Sequence, residues 1–172
     1  MFLETERLYL IEWPLEVMER RLREDDFEAE VPVGGRTLRV HFPPEWPGDA
    51  LGLFDGTIRQ MRENPDYEPL GGAIVERASG EAVGGMSFRR HADQPGTMEL
   101  GYGINPSHWN RGYATEMARA MVAWAREQPD AEHIVSECLT ENLGSIRVLE
   151  KTGFHRTGER DDEEGRLITW EI

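Results

Sequence analysis

Residues 105–116 read Asn-Pro-Ser-His-Trp-Asn-Arg-Gly-Tyr-Ala-Thr-Glu. A helix that opens on Gly112 and Ala114 leaves its first backbone N–H groups unscreened by side chains. Such unpaired donors, backed by the positive end of the helix dipole, form a site for a phosphate or pyrophosphate, and Arg111 adds a mobile cation beside them. The same residues also suit an ordinary helix start in which Gly112 only permits a tight turn. No Gly-Lys-Ser/Thr follows, which excludes a Walker loop, and Gly101-Tyr102-Gly103 does not extend into the Gly-x-Gly-x-x-Gly fingerprint of dinucleotide folds. Other reactive residue types carry less. The single cysteine, Cys138, has only His133 on its own strand and reads as packing. The run Asp161-Asp162-Glu163-Glu164-Gly165 lacks the spaced ladder of a calcium loop and reads as a solvated hairpin tip. His41, His91, His108 and His155 show no metal-ligand spacing.

The elements that must position the loop follow from periodicity. Arg7 to Ile11 predicts a first strand, and Leu15, Val17, Met18 and Leu22 form the stripe of a helix running to about Glu24. Residues 25–49, broken by Pro32, Gly34, Gly35, Pro43, Pro44, Pro47 and Gly48, read mostly as loop, with Thr37 to Phe42 as a short strand. Leu51, Phe54, Ile58 and Met61 predict a second helix ended by Asn64-Pro65-Asp66. Gly72 to Arg77 and Ala82 to Phe88 form a hairpin through Ala78-Ser79-Gly80-Glu81. Thr97 to Ile104 is a strand, and 112–126 is a helix with Ala114, Met117, Ala118, Met121 and Ala125 on one small-residue face. His133 to Leu139 is a strand and 142–151 a helix capped by Asn142; two strands, Phe154 to Arg160 and Arg166 to Ile172, close the chain. Phe42, Trp46 and Phe54 read as core, with the lining of an acceptor pocket as the alternative.

The 172 residues suggest one domain, 1–172, and 38% hydrophobic residues suffice to close a core. The net charge of −14 argues against a nucleic-acid partner and favours a basic or amine-bearing substrate. No apolar run approaches the roughly 18 to 20 residues of a membrane helix, and Met1-Phe2-Leu3-Glu4-Thr5-Glu6-Arg7 does not read as a secretory signal, so the expected location is cytoplasmic. One cysteine supports neither a disulfide nor a Cys-based zinc site, and no metal is expected.

The order strand, Arg111-Gly112-Tyr113-Ala114-Thr115-Glu116, helix, strand, then residues 141–154, Glu-Asn-Leu-Gly-Ser-Ile-Arg-Val-Leu-Glu-Lys-Thr-Gly-Phe, resembles the GNAT superfamily of acyl-CoA-dependent N-acetyltransferases. The opening Leu3 to Leu10 is similar to the RimJ/RimL-type branch. The resemblance implies an α/β (α+β) GNAT fold: a mixed, mostly antiparallel central sheet splayed at the cofactor site, with helices on both faces. It implies acetyl-CoA as co-substrate and an amine acceptor, a small molecule or a protein N-terminus; a homodimer is common in the branch. The family's phosphate loop falls on residues 109–114, with Trp109 in place of Gln/Arg at its head, and the phosphates would be held by backbone N–H groups of Arg111, Gly112, Tyr113, Ala114 and Thr115. The pantetheine arm would lie along Leu100, Tyr102 and Ile104, with Gly101 and Gly103 permitting close approach. Asn142 would contact the pantetheine, and Ser145 would sit near the thioester sulfur; otherwise Asn142 is an N-cap only and Ser145 a first-turn residue. Leu149 stands where many members carry a Tyr that protonates the departing thiolate, so Ser145 would donate instead, directly or through water, or the thiolate would leave unassisted.

A substrate amine of pKa about 10 must lose its proton before it attacks the thioester. Alternation places Glu99 on the face of Gly101 and Gly103, opposite Met98, Leu100 and Tyr102. Glu99 is therefore the first candidate base, direct or through a water, and Glu137 the second; a solvated strand carboxylate is the alternative for Glu99. The oxyanion would be met by a backbone N–H of the same strand, and transfer would be direct, in a ternary complex. A non-catalytic acyl-CoA-binding or sensing domain is the competing reading, suggested only by Leu149.

Overall fold

The computed structural model describes residues 1–64, 66–163 and 165–172. In chain order it contains β1 (Phe2–Glu4), β2 (Leu8–Glu12), α1 (Leu15–Arg21), β3 (Phe27–Val33), β4 (Arg36–Phe42), α2 (Phe54–Glu63), β5 (Leu70–Glu76), β6 (Ala82–Arg90), β7 (Thr97–Ile104), α3 (Tyr113–Ala125), β8 (His133–Leu139), α4 (Leu143–Thr152), β9 (His155–Asp162) and β10 (Gly165–Glu171). Short 3-10 turns at Gly48–Leu53 and Pro106–His108 precede α2 and α3. Strand order in the main sheet is β1-β2-β5-β6-β7-β8-β10-β9. Pairing is antiparallel for β1 with β2, β2 with β5, β8 with β10 and β9 with β10, and parallel for β7 with β8, so the sheet is mixed as expected. The residues gather into two compact units, Met1–Ser87 with Tyr102–Tyr113, and Phe88–Gly101 with Ala114–Ile172. Strands β6 and β7 contribute to both.

In the first unit the core is aromatic. Trp46 packs on Phe42 at 4.6 Å between ring centroids and on Trp13 at 6.0 Å, and Trp13 meets Phe54 edge-on at 5.5 Å. Phe42, Trp46 and Phe54 are thus core residues. Buried Arg21 is satisfied by the Trp46 and Pro44 carbonyls, at 2.6 and 2.8 Å, and by Asp25 at 2.7 Å, which pins the proline-rich chain to α1. Two expectations need correction. Residues 27–33, expected as loop, form β3, which pairs with the strand expected at Thr37 to Phe42 to make the antiparallel ribbon β3-β4. Its inward Phe27, Val31 and Val33 alternate with Glu28, Glu30 and Pro32, and Gly34-Gly35 closes it with φ of 55° and 83°, the positive angles that a two-residue hairpin requires. Pro32 is tolerated because this ribbon has only two strands. The chain also gains β1, too short to show periodicity. Pro65, in the expected helix stop, and Glu164, in the acidic tip, lie outside the described residues.

In the second unit, Met98, Leu100, Ile134, Ile168 and Trp170 are buried from the strands, and Met117, Ala118, Met121, Val122 and Leu149 from α3 and α4. Burying each large side chain contributes on the order of 2 kcal/mol. Cys138 belongs to this core: the Trp170 indole donates to its Sγ at 3.3 Å, and burial raises its thiol pKa, the reverse of an activated nucleophile. The β9 strand is exposed at every position, a charged edge that discourages further pairing.

Candidate active site

The loop after β7 is built almost wholly from residues of the first unit. Asn105 donates from its backbone to the Val83 carbonyl at 2.8 Å and from Nδ2 to the Ala82 carbonyl at 2.9 Å, which fixes the departure of the chain from β7. Asn110 and Gly112 then take left-handed φ values of 62° and 80° and swing the chain into α3, which begins at Tyr113. The glycine is required by its conformation; asparagine is the ordinary residue best able to share it. The Trp109 indole, 61% exposed, donates to the Ile104 carbonyl at 2.6 Å and ties the head of the loop to the last residue of β7. That bond is what the tryptophan supplies at a position expected to matter little. Arg111 is exposed, and its guanidinium donates to the Ser107 carbonyl at 3.2 Å, folded back along its own loop.

Beneath the loop lies a polar group that motif reading did not find. Tyr113 is buried and donates its hydroxyl to Glu76; the Arg7 guanidinium lies 4.7 Å from the Tyr113 ring centroid and donates to the Arg111 carbonyl at 3.0 Å. Hydrogen bonds from Tyr113 and Ser79 hold the Glu76 carboxyl below its ordinary value, and the Glu76 contact raises the Tyr113 phenol. His108 stacks near Tyr113 at 6.3 Å. No spacing in sequence connects residues 7, 76 and 113.

Along β7 the burial alternates as expected: Leu100 is buried, Tyr102 and Ile104 are half-buried, and Gly101 and Gly103 are exposed. A Cβ added at Gly101 or Gly103 would meet nothing within 4 Å, so this face leaves room for an extended ligand against the strand. The β7-β8 ladder runs only through Thr97, Met98 and Glu99, followed by a bond from Ser136 Oγ to the Leu100 carbonyl at 2.8 Å.

Glu99, in the second unit, is mostly buried and is paired with Arg89 and, at 2.8 Å, with His91 Nε2. Burial alone would raise its carboxyl pKa, but the hydrogen bonds from Arg89 and His91 outweigh burial and hold it below the usual carboxylate range. It is charged at neutral pH and therefore able to accept a proton. Glu137 is engaged by Arg160, whose Nε donates at 2.9 Å and whose NH2 completes a two-pronged pair.

At the start of α4, Asn142 Oδ1 accepts the Ser145 N–H at 3.0 Å, so the expected N-cap is present. Ser145 is half-buried, and Ala114 and Thr115 lie half-buried in the first turn of α3. Leu149, one turn beyond Ser145, is 0% exposed. Leu149 is thus a core residue, and it carries no group that can donate a proton. Among the described residues no group of three or more His, Cys, Asp or Glu is placed to hold a metal ion, and no helix is long and apolar enough to cross a membrane. An open depression of about 480 Å³ along α2, lined by Asp55, Ile58, Arg59, Arg62 and Glu63, contains none of the candidate groups.

The acetyltransferase (GNAT) domain family matches residues 18–155, and the chain belongs to that family: it is an N-acetyltransferase of a kind that uses acetyl-CoA. It is 29% identical over 166 residues to the uncharacterized N-acetyltransferase YjdG of Bacillus subtilis, an alignment spanning 92% of this chain and 94% of that one. Among solved structures, a GNAT-family acetyltransferase from Bacillus anthracis matches with a TM-score of 0.68 at 21% identity, covering 100% of this chain and 98% of that one. RimL, a ribosomal L7/L12 alpha-N-protein acetyltransferase in complex with coenzyme A, matches with a TM-score of 0.64 at 14% identity, covering 100% of this chain and 97% of that one. At such identities these two structures speak for the fold.

Proposed function

We propose that residues 1–172 act as one domain that moves the acetyl group of acetyl-CoA onto a primary amine, of a small molecule or a protein N-terminus, by direct attack in a ternary complex. The observation that carries this reading is the left-handed turn at Asn110 and Gly112, which opens α3 beyond the uncrowded Gly101 and Gly103 of β7. Bound acetyl-CoA supplies an activated thioester carbonyl. Backbone N–H groups of Arg111, Gly112, Tyr113, Ala114 and Thr115 hold the phosphates, aided by the helix dipole. Main-chain groups of Leu100, Tyr102 and Ile104 hold the pantetheine amides, joined by the Asn142 side chain, whose Nδ2 is left for this by a cap that uses Oδ1. Glu99, charged at neutral pH, takes the proton from the acceptor ammonium, directly or through water. Ser145 donates to the departing thiolate. Glu137, paired with Arg160, is the second candidate base.

The reading needs no metal and no nucleic acid, expects a cytoplasmic enzyme, and is compatible with the homodimer common in the branch or with a monomer. Thiol release on mixing the protein with acetyl-CoA and a panel of small amines, amino acids, polyamines and peptides with free N-termini tests it. Release with at least one class, lost in Glu99→Gln, is the expected result. A silent panel from protein shown to bind acetyl-CoA overturns it.

A further inference from the structure

The segment before β2 resembles its branch but has no part in the reaction as described so far. It is anchored by several hydrogen bonds. The Thr5 backbone donates to the Leu8 carbonyl at 2.9 Å, and the Leu8 backbone returns a bond to Thr5 Oγ1 at 3.1 Å. Arg77 donates to the Thr5 carbonyl at 2.6 Å and pairs with Glu4 at 3.0 Å, while its backbone N–H donates to the Arg7 carbonyl at 2.9 Å. Residues 4–8 are thus a fixed turn from which Arg7 projects onto the loop.

Three contacts define what Arg7 does there. It donates to the Arg111 carbonyl at 3.0 Å, it lies over the Tyr113 ring at 4.7 Å, and its NH2 is 3.6 Å from the place a Cβ would take at Gly112. The Tyr113 hydroxyl is in turn held by Glu76. The guanidinium lies over the ring and directs an N–H at the carbonyl in one pose, which its rigid planar fork of donors holds with less loss of freedom than a lysine ammonium would. With the Arg111 carbonyl bonded to Arg7, the Arg111–Gly112 peptide is held against rotation, and the Gly112 N–H keeps one direction. Glycine's own freedom would otherwise let that peptide turn.

We propose that Arg7 is a positioning residue for the cofactor: the amino-terminal turn uses it to lock the Arg111–Gly112 peptide in the orientation that receives the phosphates. This rests on reading that loop as the phosphate site. Arg7 acts through the loop, so its loss weakens binding of coenzyme A without weakening the fold to match.

Titration calorimetry with coenzyme A, together with the melting temperature of the free protein, tests this on wild type, Arg7→Ala, Arg7→Lys and Gly112→Asp. Arg7→Ala is expected to bind about tenfold more weakly with a melting temperature little changed; Arg7→Lys, which keeps a donor but loses the flat stack, falls between. If Gly112→Asp abolishes binding while Arg7→Ala binds as wild type, the role given to Arg7 is wrong and the loop reading stands. If Gly112→Asp itself binds as wild type, the loop reading fails and the role of Arg7 with it. A loss in Arg7→Ala that comes with a large fall in melting temperature, and that Arg7→Lys restores in full, makes the residue structural and also overturns the proposal. Should Arg7→Ala not fold, Arg7→Lys decides: wild-type affinity in that variant refutes a need for the planar group.

Discussion

The loop at residues 105–113 and the carboxylate cluster at Glu99 solve opposite problems. In the loop, the proposed function falls to main-chain groups, and the side chains of Arg7, Glu76 and Trp109 bond to or hold that backbone. At Glu99, the proposed function falls to one side chain, and its neighbours Arg89 and His91 set its charge. A backbone site tolerates changes of residue type while the dihedral angles survive; a side-chain site tolerates changes of backbone while the partners survive. The two should therefore fail differently. Substitutions in the loop should cost affinity, and substitutions around Glu99 should cost rate or move its pH dependence.

The largest effect should come from Glu99→Gln, which keeps the shape and a hydrogen bond but removes the proton acceptor. The value of kcat is expected to fall about 10²- to 10⁴-fold, with coenzyme A affinity unchanged by calorimetry. A variant retaining wild-type turnover would move the proton acceptor elsewhere and dissolve the contrast. Next is Gly112→Asp, where a side chain is forced to φ of 80° and a negative charge is set at the helix start. Coenzyme A affinity should drop by about two orders of magnitude, the sum of strain and repulsion. Equal affinity would mean that the phosphates bind elsewhere.

These two regions were unequally legible in the sequence. The glycine turn, the helix after it and the Asn142 cap are local: each follows from a few neighbouring residues whose conformational preferences are fixed by their own chemistry. Strands β7 and β8 were read to the residue for the same reason, since their apolar patterns are short and bounded. Of the ribbon, β4 is legible at Thr37 to Phe42 but β3 is not, because Pro32 reads as a breaker, although Gly34-Gly35 between two β-rich runs is a hairpin signal. The face that Glu99 takes on β7 is legible from alternation, but its partners Arg89 and His91 are not, and neither is the Arg7-Tyr113-Glu76 group. Separations of 37 and 104 residues leave no periodic trace, and only the folded chain shows who pairs with whom.

Arg89→Ala sharpens the contrast at intermediate size. Burial is the largest single influence on Glu99 and favours the neutral acid; Arg89 and His91 together overcome it. Without Arg89, burial is opposed by His91 alone, and the Glu99 pKa must rise. A base works only when deprotonated, so the acid limb of the kcat/KM profile should move to higher pH, while the plateau changes little. The same sign applies to stability. With its folded pKa lowered, wild-type Glu99 contributes stability above the unfolded value that is lost as pH falls through the folded one; Arg89→Ala should remove that contribution at neutral pH. An acid limb unmoved in Arg89→Ala would show that Glu99 is not the titrating group.

The smallest expected effect probes where the two regimes meet, at Asn142. Its Oδ1 serves the backbone by accepting the Ser145 N–H, and the amide nitrogen on the same group serves the ligand in the proposed site. Asn142→Ala removes both and should destabilise the protein by about 1 kcal/mol as well as weaken coenzyme A binding. Asn142→Asp separates them. A carboxylate caps the helix as well as the amide does and suits the positive end of the dipole, so the melting temperature should hold. It cannot donate, so affinity for coenzyme A should still fall a few-fold, the cost of one hydrogen bond. Full affinity in Asn142→Asp would make the residue a cap and nothing more, and α4 would then join the loop as a site served by backbone alone.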